Sequence, residues 1–135
     1  MDVMEGKVRV YHAGEGKTQT AQTSGMLREE FIATPDSWVG MVSTEPNFTS
    51  GWHHHGKYDT YVYVISGRIK MEFGKDGKES CVAKAGEVLH MPKNTIHRES
   101  NPGDDKQLLF VARVGQGAAV TNVDGPELNS EAHSP

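Results

Sequence analysis

The chain has 135 residues, 36% of them hydrophobic and 24% charged, with 18 acidic side chains against 14 basic ones for a net charge of -4. This permits one globular domain with a single core, excludes disorder throughout, and argues against nucleic acid as a partner, because the scattered Lys and Arg make no stripe to neutralise phosphates. No apolar run approaches the roughly 20 residues of a membrane span, residues 1–10 lack the apolar stretch of a secretory signal, and one cysteine, Cys81, allows neither an intrachain disulfide nor a thiolate cluster, so a cytoplasmic protein is expected.

In chain order, residues 1–24 read as an N-terminal arm with a first strand, polar from Gly14 to Ser24. The body over 25–124 reads as all-β, because short runs of alternating polarity are punctuated by 15 Gly and 6 Pro and no segment has a helical period. Strands are expected at Leu27 to Ala33 and Trp38 to Thr44, separated by Pro35-Asp36-Ser37 and followed by a loop at Pro46-Asn47. Tyr61 to Ile65 is β-branched and aromatic. In Arg68 to Phe73, Ile69, Met71 and Phe73 share one face and Arg68, Lys70 and Glu72 the other. Asp76-Gly77 then accepts positive φ and closes a hairpin onto a strand at Cys81 to Lys84. Glu87 to Met91 and Gln107 to Val114 are further strands, and 125–135 is a tail poor in core residues, expected to fray or to lie over a neighbour.

Chemistry concentrates in two segments. The first, Gly51 to Gly67, carries His53 and His55, two residues apart and so on one face of an extended strand, with His54 pointing away. Side-by-side imidazoles suit a metal, although a histidine triplet taken alone reads more readily as a surface cluster in a loop. The second, Gly86 to Asn101, runs through a strand and a Pro-containing turn to His97 at the start of the next strand.

Together the two segments resemble the cupin superfamily. His53, His55 and Gly67 match its first motif, while Gly51 lies closer to the histidines than that motif's first glycine. Gly86, Pro92, His97 and Asn101 match the second, with Asn94 where the family has glycine. Asn is the substitute that best tolerates a left-handed turn. The resemblance implies a single-domain antiparallel jelly-roll β-barrel with a divalent metal in its cavity. It implies His53, His55 and His97 as ligands, whereas the family's metal-binding Glu falls on Thr60, a poor ligand for a divalent cation. Asp59 could substitute only through a one-residue bulge that would turn its neighbours inside out, so three histidines alone are the preferred set. The ion is iron, zinc, manganese, nickel or copper.

What the resemblance implies for activity is a menu: oxygen-dependent cleavage of dicarbonyl compounds or oxidation of thiols, in the manner of a dioxygenase, or isomerisation and opening of sugar acids, in each case on an anionic chelating small molecule. A non-catalytic metabolite- or sugar-binding cupin, or one with a structural zinc only, is the alternative. Parity adds Glu99, two residues after His97, as a general base or fourth ligand, against a reading in which it turns to solvent. Arg113 interrupts an apolar strand and either binds a substrate carboxylate or sits exposed at an edge. His90 reads as packed or hydrogen-bonded, and His12 and His133 as incidental. Trp38, Trp52, Tyr61, Tyr63, Phe73 and Phe110 read mainly as core or interface residues. Tyr61 and Tyr63 have the parity opposite to Thr60, which turns them outward toward a second copy in an expected homodimer.

Overall fold

The structure, a computed structural model, describes residues 6–18, 26–116 and 121–126. Among these there is no α-helix. Ten strands form the body: β1 (Met26–Thr34), β2 (Ser37–Thr44), β3 (His53–His54), β4 (Asp59–Ser66), β5 (Arg68–Phe73), β6 (Glu79–Lys84), β7 (Val88–Met91), β8 (Arg98–Ser100), β9 (Gln107–Val114) and β10 (Thr121–Asn122). One antiparallel sheet has the order β1-β2-β9-β4-β7 and a second the order β6-β5-β8, while β3 pairs with β10. Isolated bridges from Thr49 to Ser100 and from His53 to His97 lay the segment before β4 alongside β8. The expected antiparallel jelly-roll is therefore what the chain forms.

Alternation decides which side chains meet inside. In β4, Thr60, Val62 and Val64 are buried while Tyr61, Tyr63 and Ile65 are exposed, and in β9 Leu109 and Val111 are buried beside exposed Phe110. Val42, Ile69 and Met71 complete the centre of one hydrophobic core. The outward placement of Tyr61 and Tyr63 follows the parity expectation, and both stand on the outer face of the five-stranded sheet.

The turns behave as their residues dictate. Asp76 (φ 60°) and Gly77 (φ 65°) take left-handed conformations between β5 and β6, and Asn94 does the same at φ 62°. The turn that lost its glycine thus survives with asparagine. Its backbone N–H donates to Gly56 O at 2.7 Å, which ties the approach to β8 against the loop that carries His55. In the expected N-terminal strand, the described part 6–18 forms only a bridge, Lys17 with Glu30; 19–24, and the tail from 127 with His133, lie outside the described residues.

Candidate metal centre

His53 and His97 are separated by more than forty residues, yet they are exchange partners in one antiparallel pair. His53 N–H donates to His97 O at 3.0 Å and His97 N–H donates to His53 O at 2.9 Å. Opposed residues in such a pair project to the same face, so both rings enter the interior. His55 follows His53 by two residues and Glu99 follows His97 by two, which adds one more inward group on each side. Between the bridges Thr49–Ser100 and His53–His97, residues 50–52 face only 98 and 99. The extra residue makes a bulge. There Ser50 is a double clasp: its N–H donates to Glu99 O at 2.8 Å and its hydroxyl accepts from Glu99 N–H at 2.9 Å.

The result is a buried group of four, His53, His55, His97 and Glu99, whose nearest ligand atoms all lie within 4.8 Å of one another. Ring centroids are 4.2 Å apart for His53 and His97, 5.1 Å for His53 and His55, and 5.0 Å for His55 and His97. Nδ1 of His53 lies 3.0 Å from Gly51 O and Nδ1 of His97 lies 3.0 Å from Thr95 O, so each Nδ1–H donates to a carbonyl. Each Nε2 is thereby directed inward. These two atoms meet one carboxylate oxygen, Glu99 Oε2, at 3.3 Å and 3.2 Å. His53 Nε2 is sealed from solvent with no hydrogen-bond partner.

Burial pulls the His97 imidazole down and His53 adds to that, against the pull of Glu99, which favours a neutral ring. Burial pushes the Glu99 carboxyl up, but the two imidazoles together outweigh it and hold Glu99 well below the usual carboxylate range. Three imidazole rings and an ionised carboxylate thus converge on one point, and His53 Nε2 is left there without a hydrogen-bond partner. A cation at their centre resolves this, and three imidazoles with one carboxylate are donors that divalent transition metals accept. The residues present fit the metal that the resemblance implies.

The other expected residues fall as follows. Thr60 faces the interior and is buried, with its hydroxyl oxygen unpartnered. Asp59 stays outside the group, as the preferred register has it: β4 keeps an unbroken register with β7 and β9 at that end, so the carboxylate turns to the rim and contacts His90 Nε2 at 3.2 Å. The bulge it needed would have exposed Val62 and Val64. Glu99 faces inward with the imidazoles instead of solvent, and Arg113 is buried instead of lying at a wet edge. His54 points away and its Nδ1 accepts from Gly56 N–H at 2.9 Å. His90 is hydrogen-bonded and stacked on Tyr61, at 5.0 Å and 9°, on the outer face. His12 stands in the arm, outside the cluster. Trp38 is core, Phe73 packs against the core from its edge, and Phe110 is exposed.

Arg28 was not legible as a site residue. It is buried at the inner face of β1, opposite Val42 of β2. The sequence Leu27-Arg28-Glu29-Glu30-Phe31-Ile32 has charged and apolar residues on both parities, so only the pairing register with β2 identifies its inward face. Arg28 lines a small cavity next to the cluster together with His55, Thr60, Glu99 and Arg113, floored by core side chains.

Residues 40–114, more than half of the chain, match the family model described as Cupin domain. An uncharacterized protein YdbB of Bacillus subtilis (strain 168) is 45% identical over 47 residues, which are 35% of this chain and 40% of that one. The chain therefore aligns with well under half of that curated relative's length. Two solved structures share the fold. A conserved protein with a double-stranded β-helix domain from Klebsiella pneumoniae has a TM-score of 0.68 at 19% identity, over 87% of this chain and 99% of that one. The polyketide cyclase RemF from Streptomyces resistomycificus has a TM-score of 0.70 at 15% identity, over 96% and 94%. At these identities the likeness is one of fold.

Proposed function

The chain belongs to the cupin domain family, and from that premise we propose that it is a small-molecule enzyme in which His53, His55, His97 and Glu99 hold a divalent transition metal beside an anionic, chelating substrate. The observation that carries this reading is the sealed, partnerless Nε2 of His53 in a group of four donors within 4.8 Å. An ion bound there supplies Lewis-acid polarisation of a substrate oxygen, and with iron it adds reactivity toward dioxygen.

The chain's own residues set the conditions. The carbonyls of Gly51 and Thr95 engage Nδ1 of His53 and His97, which leaves Nε2 of each ring as the atom turned toward the ion's position. Ser50 fixes the backbone of Glu99, and the carboxylate offsets part of the cation's charge. Glu99 thereby serves as fourth ligand in preference to general base. The reaction class is dioxygenase-like with oxygen or isomerase- and lyase-like without it.

The test is metal content after purification. Wild type is expected to carry about one ion per chain, His97→Ala none with no turnover, and Glu99→Gln a metal affinity weakened by about 10–100-fold or more. Unchanged metal in His97→Ala overturns the assignment. A screen of diketones, thiols and uronates with an oxygen electrode separates the reaction classes. The smallness of the cavity, about 10 Å³, favours a second reading, a non-catalytic cupin with a structural ion; metal retention without turnover on any of those compounds would select it.

A further inference from the structure

Residues 121–126 lie beyond the stretch 40–114 that matches the family model, yet they pair with the strand that carries a member of the four-donor cluster. That strand, β3, is two residues long. On one side His53 is bridged to His97. On the other it stands opposite Asn122 of β10, with His54 opposite Thr121. The ligand strand therefore has a neighbour on both sides, and β10 takes the edge in its place. An edge strand leaves one row of backbone groups open, and backbone open to solvent belongs to the least stable part of a fold.

A hydrogen bond and a group of side chains hold 121–126 against β3. Val123 N–H donates to Trp52 O at 2.9 Å. Trp52 immediately precedes His53, so alternation turns the indole to the outer face while the imidazole enters the interior. The indole is half-buried and His53 is sealed. On the outer face Arg98 lies over the indole at 4.7 Å and donates to Glu72 at 2.9 Å. The turn between β5 and β6 meets the same ring: a Cβ placed on Gly77 would stand 2.6 Å from Trp52 Cη2 and 3.1 Å from Pro126 Cβ. Glycine at that position lets the indole and Pro126 close over the turn.

The direction of the His53 ring follows from the backbone that bears it. That backbone is held from outside by Trp52, Val123 and Pro126, none of which supplies a donor to the cluster. Linkage makes such an effect reciprocal: whatever favours the ordered strand favours the ion, and the ion favours the ordered strand by the same factor.

We propose that residues 121–126 act as a clasp that positions His53, so that a divalent metal ion in the cluster and the paired state of β10 stabilise each other. The ion's part rests on the metal-dependent reading, whereas the fixing of the His53 backbone does not. Trp52 and Val123 are positioning residues that act on the ion through His53.

The test compares full-length wild type with Val123→Pro, which deletes the donor to Trp52 O, and with Val123→Ala, which keeps it. Amide exchange at His53 is followed by NMR in chelator-treated protein. Cobalt(II) is then titrated as the probe ion and read by its visible absorption and by competition with a chelator. In Val123→Pro the His53 amide should exchange about 10-fold faster, in line with the net worth of one hydrogen bond. Cobalt should bind that variant about 10-fold more weakly, the lower limit for loss of a ligand's outer partner. Val123→Ala should return both readouts toward wild type, and cobalt added to wild type should slow exchange of the Val123 amide. Gly77→Ala, which forces Trp52 and Pro126 off the turn, should act in the same direction as Val123→Pro and serves if that variant does not fold. Wild-type exchange at His53 in both variants overturns the clasp. Faster exchange with unchanged cobalt affinity, or a Val123 amide indifferent to bound cobalt, overturns the coupling. Failure of wild type to bind cobalt, or binding unaltered in His97→Ala, removes the metal reading and the coupling with it, and exchange at His53 still decides the clasp.

Discussion

Two arginines lie over two tryptophans in this molecule, and their circumstances are opposite. Arg98, at the start of β8, rests on Trp52 at 4.7 Å and donates from Nε to Glu72 at 2.9 Å. It is partly solvated, and its charge is answered. Arg113 rests on Trp38 at a similar distance, inside the barrel, with two of its nitrogens sealed and without a hydrogen bond. Burial pulls its proton affinity down and the charge of Arg28 adds to the effect, yet a guanidinium stays protonated at neutral pH. The same stacking motif is thus complete in the three-stranded sheet and incomplete on the inner face of the five-stranded one. A folded chain keeps an unanswered charge inside only where something other than stability selects it.

The inner face of β9 sharpens that contrast, because it carries Leu109 and Arg113 on the same parity. Leu109 is 1% exposed and central to the core. Leu109→Ala should cost about 2–5 kcal/mol in urea unfolding, since it removes buried methyl groups and leaves a cavity. Arg113→Met, as buried and far closer to the original volume, should do the reverse and raise the stability of the ligand-free protein by about 1–4 kcal/mol. Loss of stability in Arg113→Met would mean that the fold needs the guanidinium, and the distinction between the two arginines would fail.

How much of this was legible depends on range. Local period carried far: His53 with His55, and His97 with Glu99, follow from the two-residue repeat of a strand, and Asn94 follows from which residues accept a left-handed turn. The convergence of the two halves came only from motif resemblance, because the pairing of His53 with His97 is a contact between residues distant in the chain. Thr60 and Asp59 were separated correctly by the alternation through Val62 and Val64, which a bulge would have inverted. Arg28 was invisible because its strand is ambiguous in parity and its inward face depends on β2. The bulge at residues 50–52, which seats Glu99 on Ser50, has no residue signature beyond Gly51, whose own φ is not left-handed.

The smallest expected effect lies at the answered arginine. The hydrogen bond from Arg98 holds the Glu72 carboxyl below its usual range, with partial burial opposing and the charges of Arg98 and Lys70 assisting. A carboxyl whose affinity for protons is lower in the folded state stabilises the fold above its unfolded pKa, near 4.3, and ceases to do so as pH falls through the folded value. Both partners touch solvent, with side chains 21% and 36% exposed, so screening limits the gain. Glu72→Gln should therefore cost about 0.2–1 kcal/mol at pH 7, and the gap to wild type should close as melts are repeated toward pH 3. A gap that persists at pH 3 would assign the Glu72 contribution to packing rather than charge, and would remove the electrostatic half of the contrast between Arg98 and Arg113.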